Sequence, residues 1–198
     1  LLAAIESGQL KDSRPLAEAA RLMIPDQSDN GAWQIDAGTT PGSPATYGTP
    51  LATLTAWRTL KAAKLPEANT AIQKAESWLR QTAPNNVLTA AALLMFSLDV
   101  SDKQKQTNCL KVILAAQTGD GGWGPYADSP PEVFDTAVVL LALAELRSQP
   151  NVEAAIQRGR KFLTAEQQPD GSWPETTRPS GGESYAQRLS TTGWATLA

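Results

Sequence analysis

The sequence predicts an all-α protein built as helix pairs in two layers, and three observations carry that prediction. Alanine and leucine dominate a chain of 198 residues that is 41% hydrophobic, and both residues favour helix. Amphipathic helical stretches alternate with nearly wholly apolar ones, the pattern expected of an outer layer wrapped around an inner one. A short template, QxxxGxW, recurs at Gln27–Trp33, Gln117–Trp123 and Gln167–Trp173, and such recurrence marks a repeat architecture. Each copy follows an apolar pair: Leu22-Met23, Val112-Ile113 and Phe162-Leu163. A fourth, degenerate copy keeps Trp78-Leu79 but has Ala83 in place of the glutamine and no GxW. No stretch reads as a strand.

Taken in order, the expected outer helices are Pro15–Ile24, Pro66–Thr82, Asp102–Gln117 and Val152–Gln168. The more apolar inner helices are Thr49–Ala62, Val87–Val100, Glu132–Arg147 and Tyr185–Ala198. Pro15 and Pro66 suit a first helical turn, and Ser101 and Asn151 are the expected N-caps. In each template the glutamine can satisfy backbone groups orphaned at a helix end. The glycine permits positive φ after the helix, and the tryptophan folds back to tie neighbouring units. The loops Gly31–Gly48 and Gly171–Gly182, rich in Gly, Pro, Ser and Thr, are expected to reach over one end of the bundle.

Residues 1–198 read as one domain, since a chain this long can bury a substantial core. It opens on Leu1-Leu2 and stops at Ala198 inside an apolar helical pattern, as a piece truncated at both ends would. The net charge is −3 and the 17 basic residues are scattered, which argues against nucleic-acid binding. With no histidine, Zn sites that use His and Ser–His or Cys–His nucleophile pairs are excluded. The single cysteine, Cys109, excludes an intrachain disulfide and reads as a buried inert thiol. No apolar run reaches the ~18 residues of a membrane span, and no compartment is marked. A soluble domain, cytoplasmic or peripheral to a membrane, is the expectation.

The chemistry concentrates at Pro130-Pro131-Glu132-Val133-Phe134-Asp135, which opens the most apolar helix. Two readings stand at this point. The carboxylates serve the helix start, where the macrodipole favours anions, or an acid sits in an apolar pocket that raises its pKa. Glu132 and Asp135, three residues apart, share a helix face. Asp36 and Asp128 read as turn formers. Arg178 and Arg188 flank a glycine-rich loop; solvation is their expected role, with an anion such as a diphosphate the weaker alternative.

The repeats, seen in fullest form at Phe162–Trp173, resemble the QW motifs of squalene–hopene cyclases and related class II triterpene cyclases. That resemblance implies an α/α toroid, the fold shared with protein prenyltransferase β subunits and complement thioester domains. Here it is partial, with about four helix pairs against about six in a full ring. Leu189–Ala195 is similar to the family's STPSQTAWA stretch. Glu132–Ala137 falls where the family carries DxDDTA: Glu132 stands for the first Asp, Asp135 for the last, and Phe134 replaces the middle Asp that acts as Brønsted acid. The thioester signature GCGEQ and the Zn-ligand histidine of prenyltransferases are absent.

By resemblance, Asp135 and Glu132 are the candidate catalytic pair, and Phe134, Tyr126, Trp57, Tyr185 and Trp194 line the ligand cavity. Gln27, Trp33, Gln117, Trp123, Gln167 and Trp173 are structural. The implied function is to bind or cyclise a long, triterpene-type isoprenoid, an isomerase-type reaction, with the standard acid displaced by Phe134. The alternative is a non-catalytic domain on the same toroid that binds an apolar ligand or a protein. No cofactor or metal is implied. The implied partners are an apolar isoprenoid, a membrane surface, and a second subunit that completes the ring.

Overall fold

The computed structural model describes residues 12–35, 41–176, 178 and 184–198. Among the described residues it is all-helical, without strands. Eight α-helices follow in order: α1 (Arg14–Met23), α2 (Thr49–Ala63), α3 (Asn69–Gln81), α4 (Val87–Asp99), α5 (Lys103–Ala115), α6 (Val133–Leu143), α7 (Pro150–Glu166) and α8 (Tyr185–Leu197). Short 3-10 turns extend α1 and α6 and lead into α3. The helices alternate between layers as the amphipathic pattern predicts. Neighbour contacts run α2–α4–α6–α8, while α1 and α3 lie on α2, α5 on α4 and α7 on α6. This is an arc of a two-layered α/α toroid, four pairs long.

The two central inner helices are buried on nearly every side, α4 from Val87 to Ser97 and α6 from Val133 to Leu140. A helix without a polar face can be stable only in such a position. Local signals set the helix starts. Asn86 Oδ1 accepts from Thr89 N at 2.8 Å and Ser184 Oγ from Gln187 N at 3.2 Å. Two expected caps are corrected. Asp102, not Ser101, caps α5 by accepting from Lys105 N at 3.0 Å, while Ser101 takes a left-handed turn at φ +57°. Asn151 lies inside α7, whose N-cap is Gln149 without a side-chain bond.

The three QxxxGxW segments make the same contacts. Each Gln Nε2 donates to the carbonyl of the glycine four residues on, at 2.7–3.0 Å. Gln27 and Gln117 donate also to Ala71 O and Ala155 O of the next outer helix, both at 2.9 Å. Each Trp Nε1 donates to the carbonyl ten residues back: Trp33 to Met23, Trp123 to Ile113 and Trp173 to Leu163. Each Trp backbone N–H is accepted by a threonine hydroxyl of the following inner helix, Thr53, Thr136 and Thr192. Those threonines stand 20, 13 and 19 residues away, so no fixed spacing exposes them in the sequence. All three glycines take φ between +84° and +96°. At Gly31 and Gly121 a Cβ would also lie 2.4 Å from Lys74 O and 2.7 Å from Arg158 O, so neither φ nor space admits a side chain.

Candidate functional site

The site is built around the start of α6. Glu132 is extended at the N-cap, and its side chain makes no cap bond. Its backbone N–H donates instead to Trp123 O at 2.9 Å, and Thr136 Oγ1 accepts from Trp123 N at 2.9 Å. The second QxxxGxW loop therefore clamps the first turn of α6 and sets the direction of the residues between. Asp135 is fully buried there. Its two oxygens accept from one guanidinium, Oδ2 from Arg178 Nη1 at 2.8 Å and Oδ1 from Nη2 at 3.0 Å. Arg178 Nη1 also lies 2.7 Å from Glu132 Oε1, and Nη2 donates to Gly42 O at 2.7 Å. Nε of Arg178 is buried and has no partner among the described residues.

One arginine thus ties the head of α6 to the loop before α2 and the loop before α8. This is where the two Gly-rich loops meet over the end of the inner helices. The expected solvated role of Arg178 is corrected, because its side chain is 19% exposed and paired with both carboxylates. Arg188 is bonded on the protein surface to Gln168, Asp170 and Ser172. Asp128 is exposed, and Asp36 lies outside the described residues.

The electrostatics follow from two carboxylates sharing one cation. Burial pushes the Asp135 carboxyl up to about 7, against the pull of Arg178 and with a further push from Glu132. Burial works against the charge of Arg178, but Asp135 and then Glu132 outweigh it and hold the guanidinium above its ordinary range. Removing an ion pair from water costs several kcal/mol per ion, offset only by good geometry. The bidentate fork supplies that geometry. Phe134, Val138, Val139 and Leu143 of the same helix are each essentially fully buried, at roughly 1.5–3 kcal/mol apiece. Their burial offsets the cost of the charge and keeps the helix inside.

Phe134, the residue between the two carboxylates, is fully buried. Its ring stacks at 6.4 Å from Tyr47 and meets Trp194 edge-on at 6.0 Å, while Tyr47 and Trp194 are 5.6 Å apart. The expected aromatic cavity therefore divides. Phe134 and Trp194 come together, joined by Tyr47, which the sequence did not single out. Trp57 packs instead on Phe96 in α4 at 5.2 Å, with Lys61 Nζ 4.1 Å over its ring. Tyr126 and Tyr185 face solvent, 48% and 83% exposed, and neither lines an interior wall. The cleft beside the acid pair, about 260 Å3, is walled by Glu132, Val133, Phe162, Glu166, Thr176 and Arg178 but not by Asp135.

Sequence reasoning named Arg178 without its pairing to Asp135 and missed Gly42 and Tyr47, because all three come from loops far from residue 135 in the chain. Cys109 is buried, and burial pushes its thiol up to about 11, which leaves it unreactive near neutral pH. No group of three or more Cys, Asp or Glu able to hold a metal forms among the described residues. None of the described helices is long and apolar enough to cross a membrane.

The family Squalene-hopene cyclase C-terminal domain matches residues 82–198, the stretch that contains α4 to α8 and the whole of the Asp135 first turn. A squalene-hopene cyclase from Schizosaccharomyces japonicus is 31% identical over a region that covers 42% of this chain and 16% of that protein. The chain therefore spans a small part of the length of the relative it matches.

Proposed function

This chain belongs to the squalene-hopene cyclase family, and on that premise we propose that it binds a long isoprenoid-type chain without protonating it. The observation that carries this reading is the state of Asp135. Both of its oxygens are held by Arg178 inside a packed layer, so the carboxyl has no free edge to offer an alkene. Proton donation requires the acid within hydrogen-bond reach of the atom it protonates, and the position next to it in the chain holds the ring of Phe134. The half-buried rings of Tyr47 and Trp194, backed by Phe134, provide an apolar wall suited to a polyprene.

A second reading, cyclisation with Asp135 as the acid, is favoured by one observation: its pKa near 7 suits a general acid at neutral pH. The experiment that separates the two is incubation with squalene and with shorter polyprenes, followed by assays for binding and for cyclised products. The expected result is binding that Trp194→Ala weakens, with no cyclised product. Cyclised products that disappear in Asp135→Asn would overturn the proposal in favour of the acid reading. Failure to bind any polyprene would leave neither.

A further inference from the structure

A groove remote from the Asp135 cluster has a chemistry of its own. It lies where the first QxxxGxW loop and the start of α2 meet the end of α3 and the start of α4, and it encloses about 250 Å3. Trp78 forms part of its wall, with Asn30, Gln34, Asn85, Thr49 and Thr89 among the polar groups around it. Repetition of the fold places the Glu132–Phe162–Arg178 cleft at the corresponding point two units later, with Phe162 where this groove has Trp78. That cleft carries three glutamates and an arginine. The Trp78 groove has no ionisable side chain in its described wall.

Its hydrogen-bonding groups are also specific in kind. Asn30 Oδ1 is committed to Ala32 N at 3.0 Å, Asn86 Oδ1 to Thr89 N at 2.8 Å, and Asn85 Oδ1 accepts from Asn86 Nδ2 at 3.2 Å. The amide N–H2 groups of Asn30 and Asn85, and the whole Gln34 carboxamide, have no protein partner among the described residues. Asn30, Gln34 and Asn85 are exposed, so the wall combines one large aromatic surface with neutral donors open to acceptor oxygens. The cation beside it, Lys105, has its Nζ committed to Thr82 O at 2.8 Å.

We infer that this groove is a binding site for a neutral sugar, one pyranose ring packed on Trp78 with its hydroxyls on the Asn30, Gln34 and Asn85 carboxamides. The volume supports one ring and little more, since sites for drug-sized ligands start at roughly 300 Å3. The degenerate repeat makes the room. The segment after α3 lacks the GxW, and Trp78 stands where the other units carry Leu22, Val112 and Phe162.

The test is ligand-observed saturation-transfer NMR and calorimetry on the full chain with cellobiose, maltose and N,N′-diacetylchitobiose, and with inorganic phosphate as the anionic probe. At least one neutral sugar is expected to bind. Trp78→Leu, which restores the residue of the first unit, should weaken it by about tenfold or more, as loss of one dominant contact does. Gln34→Ala, at an exposed position without a structural bond, should also weaken it, and Arg58→Met, at the opposite end of the inner helices, should not. Absence of binding by all three sugars overturns the proposal. So does sugar binding that both Trp78→Leu and Gln34→Ala leave unchanged, or binding of phosphate in place of sugar.

Discussion

The two ends of the inner helices are held in opposite ways. At the N-terminal end, α6 begins with a buried carboxylate locked to Arg178, and two loops converge on that guanidinium. At the C-terminal end, Arg58 of α2 pairs with Asp99 of α4 at 2.7 Å, with side chains 32% and 27% exposed, and Lys61 covers Trp57. Both ends use an arginine and an aspartate, but only the first buries its aspartate completely. Charge at the first end is strong and costly to disturb; at the second it is screened. The pair that resembles catalytic machinery thus sits where the protein has most invested in keeping a polar group immobile, which favours a structural latch over a free acid.

Substitutions at the two ends can break that comparison. Arg178→Met leaves Asp135 buried without its partner and is expected to lower unfolding free energy by about 3 kcal/mol or more, measured by urea denaturation. A loss below 1 kcal/mol would mean that the loops, not the ion pair, hold the end closed. Gly159→Ala tests the clamp behind the latch. Its Cβ would lie 2.7 Å from Trp123 Cζ3 and 2.9 Å from Leu140 Cδ2, and such overpacking costs about 1–3 kcal/mol. A neutral effect would show that the Trp123 loop yields easily and does not fix the start of α6.

The pH dependence sharpens the same contrast. Asp135 has an ordinary value of 3.8 and a folded value of about 7, so the folded state holds more protons between those limits. Its contribution to stability is fully present below about pH 4 and falls as pH rises through about 7. Wild type should therefore lose stability relative to Asp135→Asn across that window when the two are melted in parallel. A difference that stays flat, or grows the other way, would mean that Arg178 keeps Asp135 ionised throughout. At the other end, Arg58→Met should cost under about 1 kcal/mol and lose even that in high salt; a larger cost would erase the distinction between the ends.

Much of the architecture was legible because it rests on local periodicity. The apolar runs of α4 and α6, the three QxxxGxW segments and the amphipathic outer stretches each state their layer without reference to the rest of the chain. Helix starts were less legible: Ser101 and Asp102 are adjacent capping candidates, and only the backbone turn at Ser101 decides for Asp102. The candidate site was half legible. Glu132, Phe134 and Asp135 announce themselves as carboxylates and a ring at the head of a buried helix, but nothing local says what faces them.

What the sequence determined by itself was the helical pairing, the absence of histidine from these 198 residues and the placement of Glu132, Phe134 and Asp135 at the head of an apolar helix. Each follows from residue identity and short-range spacing, which survive without a fold. What only the tertiary structure decided was the state of Asp135. Its partner is 43 residues away and Gly42 reaches that partner from 136 residues away. A pairing of that kind depends on how the loops cross the end of the arc, because desolvation and ion pairing are properties of a place, and residues far apart in the chain create that place.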